Sequence, residues 1–169
     1  MATIKTKVIP AKPEHIRYLA ARMRQHDRQE IWAINHHTPE EALKLSLESS
    51  DEAYSFMQGK RTLAMFGVGS PSLLSSTGIV WFLSTEETFL KHRRTMAREG
   101  RTWLRKFLKD YPMLMNFIDA RNMASIRWLK WCGCTFSDPV IYGMDKLPFL
   151  KFELKKSGSA EMLRRNKEN

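Results

Sequence analysis

Long apolar runs are absent from this 169-residue sequence, although 43% of its residues are hydrophobic. No stretch approaches the ~20 residues needed to cross a bilayer, and the N-terminal region lacks the charged, apolar and cleavage segments of a secretory signal peptide. We therefore expect no membrane partner and a cytoplasmic location. The length fits one domain with one core, which we place at residues 1–154, followed by a basic polar tail at residues 155–169.

Cysteine is also scarce, since the sequence contains only Cys132 and Cys134. The two side chains are too close in sequence for an easy disulfide, and no second Cys or His pair stands at the spacing of a zinc site. The adjacent His36 and His37 lack a third ligand and are interpreted as a helix-entry segment. We expect two buried or half-buried thiols and no metal site.

Acidic residues are nearly missing from Lys91–Lys109, which contains eight Lys or Arg and one acid, Glu99. This stretch and the basic tail account for the whole net charge of +10. Such a distribution predicts one basic helix with a stripe of charge rather than a general nucleic-acid coat. The stripe, which either binds an acidic partner or nucleic acid or is a solvated face, comprises Arg98, Arg101, Arg105 and Lys109.

Periodicity and turn residues predict the order strand, two helices, three strands, helix, strand, helix, two strands. Thr38 and Glu41 form a capping-box pattern at the start of the second helix. Gly59 and Lys60 predict a hairpin between two short apolar runs. Gly100 falls on the apolar side of the basic helix and predicts close packing against the sheet. The predicted strands are Ile4–Pro10, Ala53–Gln58, Thr62–Val68, Gly78–Leu83, Met113–Ile118, Val140–Tyr142 and Phe149–Leu154.

The strand at Met113–Ile118 runs almost directly into a helix predicted at Ser125–Cys132. Gly133 follows where a left-handed C-terminal cap is favoured, and Asn122 stands at the crossing. An amide side chain between a strand and a helix suits a ligand site. We also expect this strand and Gly78–Leu83 to be adjacent and parallel, diverging at their C-terminal ends, because each feeds a helix.

The spacing of Asn122, Ser125 and Gly133 resembles the last conserved block of the GNAT N-acetyltransferase superfamily, N-x-x-A-x-x-x-Y-x-x-x-G-F. The order of elements over residues 4–154 is similar to that of a GNAT domain as well. The resemblance implies an α/β (α+β) GNAT acyl-CoA N-acyltransferase fold, with a mixed central sheet of about six or seven strands and helices on both faces. It also implies acetyl-coenzyme A (acetyl-CoA) as cofactor and a primary amine, on a small molecule or a protein, as acceptor.

Family enzymes usually carry a glycine-rich R/Q-x-x-G-x-G/A loop whose backbone N–H groups hold the pyrophosphate of coenzyme A. The corresponding stretch Thr88–Arg94 has no glycine, and arginine side chains could contact phosphate in its place. The cofactor-binding residues implied by the resemblance are Phe82, Leu83, Ser84, His92, Arg93, Arg94, Asn122 and Ser125.

Acetyl transfer requires a group that takes the proton from the attacking amine. The candidates are Glu30, in the region that lines the substrate cleft of the family, and Glu86 or Glu87 at the end of the central strand, each with an ordinary surface acid as the alternative. The family's Tyr, which often protonates the leaving thiolate, is Leu129 here. Tyr142 is the candidate substitute, with a packing role as its alternative.

Three functions are compatible with these patterns: an N-acetyltransferase that works by direct attack, a GNAT scaffold without turnover, and a binder of nucleic acid or an acidic partner. The glycine-free stretch and Leu129 favour the second. The W-L-K-x-x-G block and the Asp-Ala-Arg-Asn exit resemble small acetyltransferase-like proteins of short-tailed phages, some called internal virion proteins. That resemblance implies assembly with other virion proteins, in the host cytoplasm or the virion.

Overall fold

The computed structural model describes residues 4–156, and the chain folds there into six helices and eight strands. The helices are α1 (Ile16–Arg22), preceded by a 3₁₀ turn at Pro13–His15, α2 (Gln25–Asn35), α3 (Pro39–Ser49), α4 (Glu86–Lys91), α5 (Arg93–Phe107) and α6 (Met123–Trp131). The strands are β1 (Thr6–Pro10), β2 (Glu52–Gln58), β3 (Arg61–Gly69), β4 (Thr77–Ser84), β5 (Met113–Asp119), β6 (Thr135–Phe136), β7 (Val140–Tyr142) and β8 (Leu147–Lys155).

The strands follow the order β1-β2-β3-β4-β5-β8-β6, with β7 also paired to β8. The pairings of β1 with β2, β2 with β3, and β8 with β5, β6 and β7 are antiparallel, whereas β4 and β5 are parallel. The sheet therefore has eight strands within residues 4–156, compared with the six or seven expected. The additional strand is the short β6, which the sequence did not predict.

Local signals placed most elements correctly. The Thr38 hydroxyl accepts from the Glu41 N–H at 3.2 Å, and the Glu41 carboxylate accepts from the Thr38 N–H at 3.0 Å, so the predicted capping box is confirmed. Gly59 has a φ of +60° in the predicted hairpin between β2 and β3. Such a left-handed backbone favours glycine.

The prediction that the basic stretch forms one long helix is wrong, because it is divided between two helices, α4 and α5. Thr85 caps α4, and the helix ends at His92, where φ is −118° before α5 begins. The ring of His92 packs edge-on against Phe56 with centroids 6.5 Å apart. Lys91 therefore belongs to α4 and Lys109 follows the end of α5, so α5 contains three of the four stripe residues, Arg98, Arg101 and Arg105.

The described residues form two compact units, and the first comprises the described parts of residues 1–69 and 80–93. Its core lies where α1 and α3 pack on β3. Leu19, Leu43 and Met65 are fully buried there. The buried side of α1 thus contributes to the centre of this unit.

The second unit comprises the described parts of residues 70–79 and 94–169. β5 pairs with β8 over seven residues, and α5 packs against α6. Gly100 is buried as predicted, but its neighbour is Trp128 of α6 rather than the sheet. A Cβ atom at Gly100 would lie 2.6 Å from Cζ2 of Trp128.

Within residues 4–156, no helix is both long and apolar enough to cross a membrane. Lys155 ends β8, and the rest of the predicted basic tail, residues 157–169, lies outside the described residues.

Candidate active site

β4 and β5 pair over only three residues. Thr77–Ile79 lie opposite Met113–Met115, and the pairing stops there while β4 continues to Ser84 and β5 to Asp119. Over the remainder of its length β5 pairs with β8 alone. The prediction that these two strands are adjacent and parallel is confirmed, and the pairing between them ends after three residues.

The turn that leaves β5 is held by Asp119, which is buried. Its carboxylate accepts from the Arg121 N–H at 2.8 Å and from the Arg121 guanidinium at 2.7 Å. Its carbonyl oxygen accepts from the Asn122 N–H at 2.9 Å. These bonds fix the path of the chain from strand to helix.

Asn122 is the N-cap of α6 and is only 3% exposed. Its side-chain oxygen accepts from the Ser125 N–H at 3.4 Å, so the two predicted cofactor residues lie together at the start of the helix. The helix begins at Met123, two residues earlier than expected. Gly133 has a φ of +98°, which is the left-handed conformation predicted after the helix.

The connection from β4 to α5 is a short helix instead of a glycine loop. The Thr85 hydroxyl accepts from the Thr88 N–H at 3.1 Å, and the Thr88 hydroxyl donates to the Leu63 carbonyl at 2.6 Å. Both threonines are buried. Buried hydroxyls that cap a helix and bond to a neighbouring strand explain why this stretch folds without glycine.

The predicted cofactor residues of β4 have packing roles in the first unit. Phe82 stacks on Phe66 with ring centroids 6.1 Å apart, and Leu83 packs against the core around Leu43. Ser84 is buried, and its carbonyl accepts from the Arg24 N–H at 2.8 Å. Contact with a cofactor stays a prediction for these residues.

The first turn of α5 carries two exposed arginines, Arg93 and Arg94, and no acidic residue. The positive end of a helix and two guanidinium groups together favour an anion. His92 is half-buried against Phe56 and does not share this exposure.

The predicted carboxylates occupy different environments. Glu30 lies within α2 and is half-buried. Glu86 is exposed and accepts from the Gln25 N–H at 2.9 Å. Glu87 forms an ion pair with Arg61 at 2.8 Å. Its charge is therefore partly neutralised, whereas Glu86 is bound to a backbone amide.

Asp27 is a carboxylate that the sequence patterns did not single out. It is 6% exposed, and its side chain accepts from the Ser84 N–H at 3.0 Å, at the end of β4. Arg24 Nη1 lies 3.6 Å from the other carboxylate oxygen. Burial raises the pKa of Asp27 to about 6, and the nearby Glu86 adds to the increase while Ser84 and Arg24 oppose it.

The start of α2 is fastened to the end of β4 by several further contacts. Met23 forms an isolated antiparallel bridge with Thr85, and the Arg24 guanidinium lies over the Phe89 ring at 4.4 Å. Arg28 donates to the carbonyl oxygens of Met23 and Ala20, both at 2.9 Å. Asp27 is thereby held in one position beside Ser84.

Three other predicted groups are also placed by the structure. Tyr142 stacks on Phe117 with centroids 4.2 Å apart, and Leu129, at the position of the family's Tyr, is buried. The role of Tyr142 as a proton donor stays a prediction. His36 ends α2 in a left-handed conformation, with its ring stacked on Trp32, and His37 directly precedes Thr38, the N-cap of α3.

Cys132 and Cys134 are free, buried thiols, as predicted. Burial raises the pKa of each to about 12, so both are neutral at physiological pH. Within residues 4–156, no group of three or more His, Cys, Asp or Glu side chains is arranged to hold a metal ion.

No protein-family model and no curated protein sequence matches this chain.

Solved structures match it over nearly the whole length. An N-acetyltransferase from Staphylococcus aureus Mu50 is 17% identical with a TM-score of 0.65, covering 89% of this chain and 98% of that one. A GNAT-family acetyltransferase from Bacillus anthracis is 7% identical with a TM-score of 0.67, covering 92% and 99%. Spermidine N-acetyltransferase from Vibrio cholerae, in complex with CoA and spermine, is 9% identical with a TM-score of 0.64, covering 90% and 96%. These likenesses confirm the predicted GNAT fold.

Proposed function

We propose that this protein is an acetyl-CoA-dependent N-acetyltransferase that acts on a primary amine by direct attack. The observation that carries the proposal is the parallel β4–β5 pair that ends after three residues in a GNAT fold. The structural neighbours named as N-acetyltransferases support the same class of activity. Positioning of amine and thioester accounts for most of the rate in such a reaction.

The residues of this chain fit the phosphates of acetyl-CoA. The first turn of α5 contains no acidic residue, and its Arg93 and Arg94 suit the pyrophosphate. Asn122 and Ser125 lie at the N-terminus of α6, where the helix dipole is positive. Acetyl-CoA supplies the activated acyl group when it is bound. The chain contributes cationic side chains and helix termini in place of the family's glycine loop.

Asp27 is the proton acceptor in this proposal. A general base works best when its pKa lies near the operating pH, and burial brings the pKa of Asp27 to about 6. The bond from the Ser84 N–H fixes one carboxylate oxygen at the end of β4. Asp27 therefore replaces Glu30, Glu86 and Glu87 as the preferred candidate, because it combines fixed position with a raised pKa.

A scaffold without turnover is the second candidate function. The observation in its favour is the helical β4–α5 connection, in which Thr88 donates to Leu63 instead of leaving a glycine loop open. In that case the protein either binds coenzyme A without catalysis or binds no cofactor, and its role is structural. If the resemblance to short-tailed phage proteins holds, it would assemble with other virion proteins.

Calorimetric titration with acetyl-CoA and with free coenzyme A tests the cofactor assignment. We expect saturable binding of both by the full-length protein. The double variant Arg93→Ala/Arg94→Ala should bind about 10- to 150-fold more weakly, since one hydrogen bond to a charged group contributes about 1.5–3 kcal/mol. A matched variant, Arg17→Ala/Lys44→Ala, removes two exposed cations of α1 and α3 and should bind like the parent.

Equal weakening in both double variants would mean that net charge alone attracts the ligand. Binding by the parent that is unchanged in Arg93→Ala/Arg94→Ala would place the phosphates elsewhere. Absence of any binding by the parent would refute the acetyltransferase proposal.

A further inference from the structure

In the second unit, α6 lies along one side of α5. The Trp128 indole N–H donates to the Ala97 carbonyl at 3.2 Å, and the same ring fills the space beside Gly100. Arg101 also touches α6, with its guanidinium 4.4 Å over the ring of Trp131. The side of α5 that carries Ala97 and Arg101 therefore borders α6.

Four arginines share that side of α5. The buried residues Met96, Gly100, Leu104 and Phe107 mark the inward direction of the helix. At about 100° per residue, Glu99 falls on the side away from α6. The arginines that fall on the α6 side are Arg94, Arg98, Arg101 and Arg105.

Trp131 stands beside these arginines on α6 and is 45% exposed. Arg127, one turn earlier on the same helix, is exposed as well. Within residues 4–156, no carboxylate forms an ion pair with any of these arginines. We call this surface the arginine–tryptophan face, and its members are Arg98, Arg101, Arg105, Arg127 and Trp131, since Arg94 belongs to the proposed pyrophosphate site.

Arg101 shows that the face is not built for internal stability alone. Its Nε is buried and has no hydrogen-bond acceptor, which is an unfavourable state for a guanidinium group. The arginine instead stacks on Trp131 and holds that ring in place. An indole ring fixed by a cation, with nearly half of its surface in solvent, forms a rigid flat platform.

We propose that the arginine–tryptophan face binds single-stranded nucleic acid. Guanidinium groups bind phosphate in bidentate fashion, and all four cations of the face are arginines. Aromatic side chains beside a cationic track bind unpaired bases by stacking, without sequence preference. An acidic protein segment would use the charges but would leave the exposed ring of Trp131 without a matching planar group. The face lies on the second unit and is independent of Asp27.

Fluorescence anisotropy with a labelled oligo(dT) tests the proposal on the full-length protein. We expect binding at low salt that weakens log-linearly as salt rises, with a slope of about −0.7 for each phosphate contacted. Polyglutamate, which has the negative charge without the bases, should compete weakly at equal charge. A duplex of the same length should also compete less well, because its bases are already stacked.

Two variants separate charge from stacking. Trp131→Ala should weaken oligo(dT) binding about 5- to 150-fold, the range typical for loss of one stacked base, and should leave the salt slope unchanged. Arg98→Glu/Arg105→Glu should abolish binding, whereas Arg17→Glu/Lys44→Glu makes the same change in net charge on the first unit and should retain it. Circular dichroism would check that each variant is folded.

Three results would overturn the proposal: no binding of oligo(dT) by the parent at low salt, equal competition by polyglutamate together with full affinity in Trp131→Ala, or equal loss in both charge-reversed variants. The second of these would assign the face to an acidic protein. The third would assign binding to net charge alone.

Discussion

Replacing Asp27 by Asn should lower kcat/KM for amine acetylation about 100- to 10,000-fold, the usual contribution of a positioned general base. Asparagine keeps a carbonyl oxygen that can accept from the Ser84 N–H, now 3.0 Å from the aspartate. The start of α2 should therefore remain attached to the end of β4. The matched control Glu86→Gln, which changes a neighbouring exposed carboxylate, should retain most of the parent's activity.

The pH dependence of kcat/KM distinguishes a general base from a residue that only holds α2 in place. The parent's kcat/KM should rise as the pH increases through about 6, because Asp27 must be ionised to accept a proton. Activity of Asp27→Asn should lack that step. Equal activity of the variant and the parent at pH 8 would show that Asp27 only holds α2 in place.

As the pH rises, the stability of the parent should fall while its activity increases. The pKa of Asp27 is raised from 3.8 to about 6 on folding, so the folded state binds the proton more tightly than the unfolded state. The parent should therefore lose stability relative to Asp27→Asn as the pH rises from about 4 to about 7. The free energy of unfolding should fall by about 1.4 kcal/mol for each pH unit that separates the folded and unfolded pKa values, measured by urea unfolding at several pH values.

Gly100→Ala should destabilise the protein by about 1–3 kcal/mol, as overpacking of a core usually does. In an open helix the same change would stabilise by about 1 kcal/mol, because alanine is the better helix former. Here the new Cβ atom would lie 2.6 Å from Cζ2 of Trp128. That ring cannot retreat freely, since its N–H donates to the Ala97 carbonyl at 3.2 Å.

Urea unfolding of Gly100→Ala, Trp128→Phe and the double variant gives the coupling between the two positions. Phenylalanine lacks the outer ring atoms that approach Gly100, so the alanine should be less harmful in the Trp128→Phe background. Stability of Gly100→Ala equal to or above the parent's would contradict the close packing of α5 on α6.

The sequence predicted the elements whose signals are local. The apolar runs at β4 and β5 end at polar residues, and Asn122 and Gly133 mark the limits of α6 by side-chain and backbone chemistry. The predictions failed where contacts between residues far apart in the sequence determine the structure. Asp27 lies in a polar segment typical of an exposed helix, and its bond to Ser84, fifty-seven residues away, joins it to the end of β4.

The same reason explains the two errors in the basic helix. The basic stretch is interrupted at His92, whose ring packs against Phe56 of the distant strand β2. Gly100 was correctly predicted to lie at a closely packed position, but the sequence did not identify its partner. Trp128 lies in a predicted helix and carries no signal that it packs against Gly100.

Release of coenzyme A thiol from acetyl-CoA, followed with and without a primary amine, tests the central claim most directly. The amines would be a polyamine, a lysine-containing peptide and a peptide with a free N-terminus, each with the full-length protein at pH 8. We predict that at least one amine accelerates thiol release, that acetylated amine forms in equal amount, and that Asp27→Asn suppresses both. Tight binding of acetyl-CoA with thiol release that no amine accelerates would contradict the acetyltransferase account and favour the scaffold.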